Sequence, residues 1–212
     1  MSDNHSNPML VRLNTTGDAR RTMFGFETDD HPRLDRFQNA LSAVAGVIAG
    51  ACVVVLVLLT CLEVFARTVL SQPLGWNVAF TESYLMVGAA FFGIVTAYRT
   101  AAHVAVTSIF EKLPFWSQKG MVVITHVLVT VVFTLLFWYG LLATLESVAM
   151  NEIPPRGSAE LSIPDWIWKS FVPIASAMAF VIAVIDLGRE IAAGPSVLAT
   201  DYDPGDVIVE AE

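Results

Sequence analysis

The sequence predicts an all-α integral membrane protein with four transmembrane helices, both termini in the cytoplasm and a short amphipathic surface helix between spans two and three. The chain of 212 residues is 55% hydrophobic and only 15% charged, with a mean hydropathy of +0.61. A soluble domain carries about 25% charged residues. Charge-free stretches also recur at the length that a bilayer core of about 30 Å requires. Lys and Arg are distributed unevenly among the connecting segments.

The four predicted spans cover about residues 38–62, 76–98, 118–145 and 166–187. The first is free of charge, the third is free of charge from Gly120 to Leu145, the second holds Glu82, and the fourth has Lys169 at its entry. Each has about the 20 residues that a spanning helix needs. We expect the first span to remain in the mature protein, because a long polar segment precedes it and it exceeds the apolar core of a signal peptide.

These spans divide the chain into a membrane domain between two tails. Residues 1–37 are predicted to form a polar, largely disordered cytoplasmic tail, and residues 38–191 a four-helix membrane domain. Residues 192–212 form an acidic cytoplasmic tail. The formal net charge is −8. Its concentration near the C-terminus indicates a solvated tail and no nucleic-acid partner, because nucleic acids attract basic proteins.

The orientation follows from the positions of Lys and Arg. One side of the membrane carries the arginines of the N-terminal tail, the basic residues between spans two and three, and the one after span four: Arg12, Arg20, Arg21, Arg33, Arg36, Arg99, Lys112, Lys119 and Arg189. The other side carries Arg67, Arg156 and Lys169. Because basic residues favour the cytoplasmic side, both termini are predicted to lie there.

Helix-breaking residues agree with these boundaries. Pro73 and Gly75 separate the first two spans, Pro114 precedes the third, and two consecutive prolines follow it. Ser162 to Asp165, with Pro164 in the first turn, is typical of a helix start. Pro173 is expected to kink the fourth span.

The segment between spans two and three has helical periodicity. Val106, Ile109, Phe110 and Leu113 recur on one face, with polar residues between them. This spacing predicts a short amphipathic helix on the cytoplasmic surface. The alternative is a helix that merely extends span two.

The sequence contains no phosphate loop, nucleophile elbow, metal-spaced Cys and His cluster or pair of carboxylates deep in a span. We therefore predict neither an enzyme nor a cofactor. One rival hypothesis rests on His103 and His126, which could ligate a haem between neighbouring helices. The alternative is that each histidine forms hydrogen bonds near the membrane interface.

Small and charged residues indicate contact with another protein. Gly46 and Gly50 belong to one stripe of small residues and Gly93 to another, and such stripes permit close approach of helices. Glu63 and Arg67 lie four residues apart and share a helix face as an ion pair. With Glu82 at the start of the next span, they form the best-placed polar cluster near the outer interface. Packing within the chain is the alternative for the stripes, and snorkelling to the headgroups is the alternative for the charges.

From Leu62 to about Ile191 the sequence resembles the small membrane subunit (DctQ type) of tripartite ATP-independent periplasmic (TRAP) transporters. The resemblance rests on the order and spacing of several short motifs. They are Glu63-Val64-Phe65-Ala66-Arg67, Pro73-Leu74-Gly75-Trp76, Gly93, Tyr98-Arg99-Thr100-Ala101-Ala102-His103-Val104, Phe110-Glu111-Lys112-Leu113-Pro114, Ser162-Ile163-Pro164 and Pro173.

The resemblance implies a role as a scaffold. The chain would support a large multi-span subunit (DctM type), to which a periplasmic solute-binding protein delivers the substrate, in the cell inner membrane and in contact with its lipids. It would serve sodium-coupled uptake of a small organic acid or related solute and bind neither substrate nor sodium itself. The candidate partner contacts are Gly46, Gly50, Glu63, Arg67, Trp76, Glu82, Gly93, Arg99, His103, Pro164 and Pro173. A haem-carrying or structural membrane anchor of a respiratory complex is the alternative.

Overall fold

Four long helices account for most of the described chain. The structure, a computed structural model, describes residues 9–10, 19–28, 31–100, 114–153 and 163–194. The helices are α1 (Pro32–Val69), α2 (Asn77–Arg99), α3 (Phe115–Met150) and α4 (Trp166–Ala192). Each is long and apolar enough to cross a membrane, which confirms the four predicted spans.

The amphipathic surface helix predicted around residues 106–113 lies outside the described residues, as does the acidic tail from residue 195 onward.

The first and third helices are longer than their predicted spans. Helix α1 has 38 residues and α3 has 36, whereas about 20 residues suffice to cross the hydrocarbon core. Helix α1 begins at Pro32, a favourable first position because proline lacks the N–H that would have no partner there. The apolar run therefore marks only the membrane-crossing part of a longer helix.

Helices α1 and α3 each end at a residue with a left-handed backbone. Ser71 has φ +54° and Asn151 has φ +49°. The N–H of Gln72 donates to the carbonyl of Ala66 at 3.4 Å, which closes the end of α1 as glycine-type caps do. The predicted breaks after spans one and three are thus helix caps.

Helices α2 and α4 are both interrupted near their starts. Helix α2 contains a π-helical segment at Thr81–Met86 between two α-helical segments, Asn77–Phe80 and Val87–Arg99. Helix α4 consists of a turn at Trp166–Lys169 and a longer segment at Phe171–Ala192. Pro173 has no N–H to donate to the carbonyl of Lys169, so the helix is interrupted where the sequence predicted a kink.

The start of α4 differs slightly from the prediction. Asp165 is the residue that caps the helix, so Pro164 precedes the cap instead of occupying the first turn. The carboxylate of Asp165 makes no capping hydrogen bond and instead lies 3.4 Å from the indole nitrogen of Trp168. The connection to α3 is held by an ion pair between Lys169 and Glu152. The hydrogen bond that Lys169 donates holds the pKa of Glu152 below its ordinary value.

Part of the segment predicted as a disordered tail is folded. Strand β2 (Ala19–Thr22) pairs antiparallel with β3 (Gly25–Thr28), and β1 (Met9–Leu10) pairs with β2. At Gly25, with φ +151°, a Cβ atom would lie 2.3 Å from the side-chain oxygen of Asn39 on α1. The hairpin therefore packs closely against α1, with Phe26 buried. The described part of the chain is thus not purely α-helical.

The chain forms two compact units. The first comprises Met1–Ala43, Thr96–Val132 and Ala179–Glu212, and the second comprises Val44–Val95 and Phe133–Met178. The first unit brings together the hairpin, the starts of α1 and α3, and the ends of α2 and α4. Its core contains polar residues such as Gln38 and Glu190. The core of the second unit is mostly apolar and includes Ala49, Leu85 and Phe92, and the described residues of this unit include no buried charged side chain.

Candidate functional site

A network of buried charges is centred on Asp35, in the first turn of α1. One carboxylate oxygen accepts hydrogen bonds from Arg99 on α2 at 2.8 Å and from Arg189 on α4 at 2.7 Å. The other oxygen accepts from the backbone N–H of Thr28 at 2.9 Å and from its hydroxyl at 2.5 Å. Arg189 also donates to the hydroxyl oxygen of Thr28 at 2.9 Å. A single carboxylate thus links α1, α2, α4 and the hairpin.

Further contacts complete the network around Arg99. Its guanidinium donates to the carbonyl of Phe26 at 2.9 Å and to the side-chain oxygen of Asn39 at 3.1 Å. It also lies 3.7 Å from a carboxylate oxygen of Asp186. That carboxylate accepts a hydrogen bond from the amide of Gln38 at 2.8 Å.

The network is electrically balanced and nearly inaccessible to solvent. Two carboxylates face two guanidinium groups, and none of these four side chains is more than 8% exposed. Removing an unpaired charge from water costs several kcal/mol, so buried charges persist only when each is paired and hydrogen-bonded. The ion pairs and hydrogen bonds of these groups therefore hold the helix ends together.

A second buried ion pair joins α3 to α4. The ammonium group of Lys119 donates to the carboxylate of Glu190 at 2.7 Å and to the backbone carbonyl of the same residue at 2.8 Å. Like the network at Asp35, this pair lies at the end of α4 and within the first unit.

Only one of the two histidines of the haem hypothesis lies among the described residues. His126 on α3 has its Nδ1 atom 3.1 Å from the hydroxyl of Tyr98 on α2. His103 lies outside the described residues. In the described part of the chain, no three His, Cys, Asp or Glu side chains are grouped closely enough to hold a metal ion.

Glu63 holds the connection between α1 and α2 in the second unit. Its carboxylate accepts from Arg67 at 3.1 Å, so these residues form the predicted ion pair, and from the backbone N–H of Leu74 at 2.9 Å. The side chain of Arg67 is 68% exposed, whereas that of Glu63 is only 13% exposed. Glu82 does not join this cluster, because it forms no ion pair or hydrogen bond with the described residues.

We expect Glu63 to contribute more to the stability of the fold than Arg67. Glu63→Ala should lower the free energy of unfolding by about 1.5–3 kcal/mol, because the N–H of Leu74 loses a charged acceptor. Arg67→Ala should lower it by less than about 0.5 kcal/mol, because exposed pairs one helical turn apart are weak. Thermal unfolding of the purified variants in detergent measures both effects. Equal losses in the two variants would contradict this ranking.

The other predicted partner contacts have different environments. Gly50 is exposed, with open space around its Cα, whereas Gly46, Trp76 and Pro164 are half-buried. Gly93 is also half-buried, and a Cβ atom there would lie 4.0 Å from the Cβ atom of Ala49. Pro173 is buried beside Gly140. Arg99 is buried in the network at Asp35, so this chain itself surrounds a side chain that the sequence placed among the partner contacts.

Sequence reasoning missed most members of the buried clusters. Asp35, Gln38, Asp186 and Glu190 were not singled out, while Lys119 and Arg189 were used only to assign orientation. One signal was available. Asp186 and Glu190 lie four residues apart at the end of the fourth apolar run, so they share a helix face that needs basic partners.

The fold and these clusters define a multi-span membrane protein whose described buried charges hold its helices together. A family model described as "Tripartite ATP-independent periplasmic transporters, DctQ component" matches residues 56–193. Because this match covers more than half of the chain, the protein belongs to the DctQ family of TRAP transporter small permease subunits. No individual curated protein matches the chain.

Family membership gives the chain a role in transport. The DctQ family is a family of transporter subunits and not of enzymes, and its members work with a DctM subunit and a periplasmic binding protein. The match includes Arg99, Lys119, Asp186, Arg189 and Glu190. The hairpin and Asp35 precede it, so the carboxylate shared by two arginines comes from outside the matched region.

Proposed function

We propose that this chain is the small scaffold subunit of a sodium-coupled, binding-protein-dependent transporter for a small organic acid or related solute. It would lie in the cell inner membrane and support a large DctM-type subunit that carries the substrate and sodium sites. The pairing of the charges on α1, α2 and α4 supports this role. Charges that neutralise one another stabilise a scaffold and leave little capacity to bind an anion or sodium.

Reconstitution tests the proposed coupling. With this chain, the large subunit and the binding protein in liposomes without ATP, uptake of the solute should follow an inward sodium gradient. Omitting this chain should reduce that uptake, because the large subunit would lose its support. Uptake that ignores sodium but is restored by internal ATP would contradict the proposal.

We also infer that both termini lie in the cytoplasm. The grouping of the starts of α1 and α3 with the ends of α2 and α4 supports a common side for the two termini, and the excess of Lys and Arg favours the cytoplasm. Reporter fusions at each terminus should therefore read cytoplasmic, and one at Asn151 should read periplasmic. A C-terminal fusion that reads periplasmic would contradict this orientation.

A further inference from the structure

One face of α2 is exposed along most of the helix. Val78, Glu82, Met86, Ala90 and Ile94 follow one another at four-residue intervals, and all five are exposed. We call this set the α2 outer face. It is apolar except for the carboxylate of Glu82, and it lies entirely within the second unit.

Glu82 lies inside the part of α2 that crosses the membrane. Helix α2 has 23 residues, about three more than the hydrocarbon core requires. Glu82 is its sixth residue, about 7 Å along the axis from the start. An ionised side chain at such a position normally pairs with another group or faces a polar region.

The described part of the chain provides no partner for Glu82. Of the basic residues that the structure describes in the second unit, Arg67 contacts Glu63 and Lys169 contacts Glu152. A lipid phosphate is negatively charged and would repel a carboxylate. A cation supplied by another protein fits this position best.

The backbone around Glu82 departs from a regular α-helix. Glu82 belongs to the π-helical segment Thr81–Met86, and π-helical turns within α-helices are frequent at functional sites. The neighbouring aromatic rings form a ladder. The ring of Phe80 lies 6.0 Å from that of Trp76 and 5.2 Å from that of Tyr84.

We propose that the α2 outer face binds a membrane-spanning helix of the large subunit that carries Lys or Arg at the depth of Glu82. This inference rests on the proposed function and adds a specific contact to it. Apolar side chains on either side of the carboxylate would pack against the partner helix. The ion pair would fix the register of the two helices, because polar contacts between membrane helices are strongly position-dependent.

Co-purification of the large subunit with variants of this chain tests the contact. Glu82→Gln should lower recovery of the large subunit at least about threefold, and Glu82→Lys at least about tenfold, because like charges then face each other. Glu146→Gln is the matched control, since Glu146 is an exposed carboxylate near the end of α3. Its recovery should stay within about 1.5-fold of the unsubstituted chain. The melting temperature of each isolated variant should remain unchanged.

A charge reversal in the large subunit provides a second measurement. Replacing its membrane-embedded Lys and Arg residues one at a time by Glu should identify a position that restores recovery with Glu82→Lys. Unchanged recovery with both Glu82 variants would overturn the contact while leaving the proposed function intact, and so would an equal loss with Glu146→Gln. If the unsubstituted chain recovers no large subunit, the proposed function fails and the contact fails with it.

Discussion

Asp35→Ala is expected to destabilise the chain by about 3–5 kcal/mol, the usual effect of removing one partner from a buried ion pair. Asp35 accepts hydrogen bonds from both Arg99 and Arg189. Without its carboxylate, two buried guanidinium groups would lose the anion that they share, and Asp186 beside Arg99 already accepts a hydrogen bond from Gln38. The measurement is thermal and chemical unfolding of the purified variant in detergent, together with its yield from membranes.

Arg36→Ala is the matched control for Asp35→Ala. Arg36 is the next residue on the same helical turn, and it forms an ion pair with Glu27 on the hairpin. Its side chain is 77% exposed, so its loss should cost less than about 1 kcal/mol. If the two variants melted at the same temperature, the network at Asp35 would not be a main source of stability.

The four spans were predictable because membrane insertion depends on a local property. About 20 apolar residues in sequence are sufficient to recognise a spanning helix. The ends of the helices were less predictable. Pro32 to Phe37 and the last turns of α3 are helical although they lie outside the predicted spans. Their helical state depends on packing and on the helix that they extend, which hydropathy does not report.

The sequence did not predict the hairpin, because the sequence patterns of its strands are weak. Its two strands have four residues each, and the surrounding segment is polar and aperiodic. Short hairpins are marginal by themselves and need contacts with the rest of the fold. Here those contacts come from Asp35, Asn39, Arg99 and Arg189, two of which lie far away in the sequence.

The buried network could not be derived from local patterns. Asp35 is separated from Arg99 by 64 positions and from Arg189 by 154. A single sequence shows that these residues are charged, but it does not show that they meet. The orientation rule counts Lys and Arg whether or not they pair with acids. Arg99, Lys119 and Arg189 therefore support the predicted orientation and also form buried ion pairs.

The contacts of Glu63 were predictable in part. The spacing of Glu63 and Arg67 was enough to predict their ion pair, because residues four apart share a helix face. The hydrogen bond from Leu74 to Glu63 depends on how the chain turns after Ser71, and that turn has no unique sequence signature. We therefore expect the more buried member of the pair to contribute more to stability, which spacing alone did not indicate.

The pair Lys119 and Glu190 should show strong coupling in a double-mutant cycle. Lys119→Met alone should cost about 3–5 kcal/mol, because it leaves a fully buried carboxylate without its cation. Glu190→Leu alone should cost a similar amount by leaving the ammonium group without its anion. The double variant should be less destabilised than the sum of the two by at least about 1 kcal/mol, since two apolar side chains can replace a buried pair.

Unfolding of all three variants in one detergent gives the coupling energy directly. The exposed pair of Arg36 and Glu27, truncated to alanine in the same design, is the control and should couple by less than about 1 kcal/mol. Equal coupling in the two cycles would mean that burial adds nothing to the attraction between Lys119 and Glu190. A double variant more stable than the unsubstituted chain would show that the apolar replacements pack well between α3 and α4. The native pair would then contribute specificity to the packing of these helices at the expense of stability.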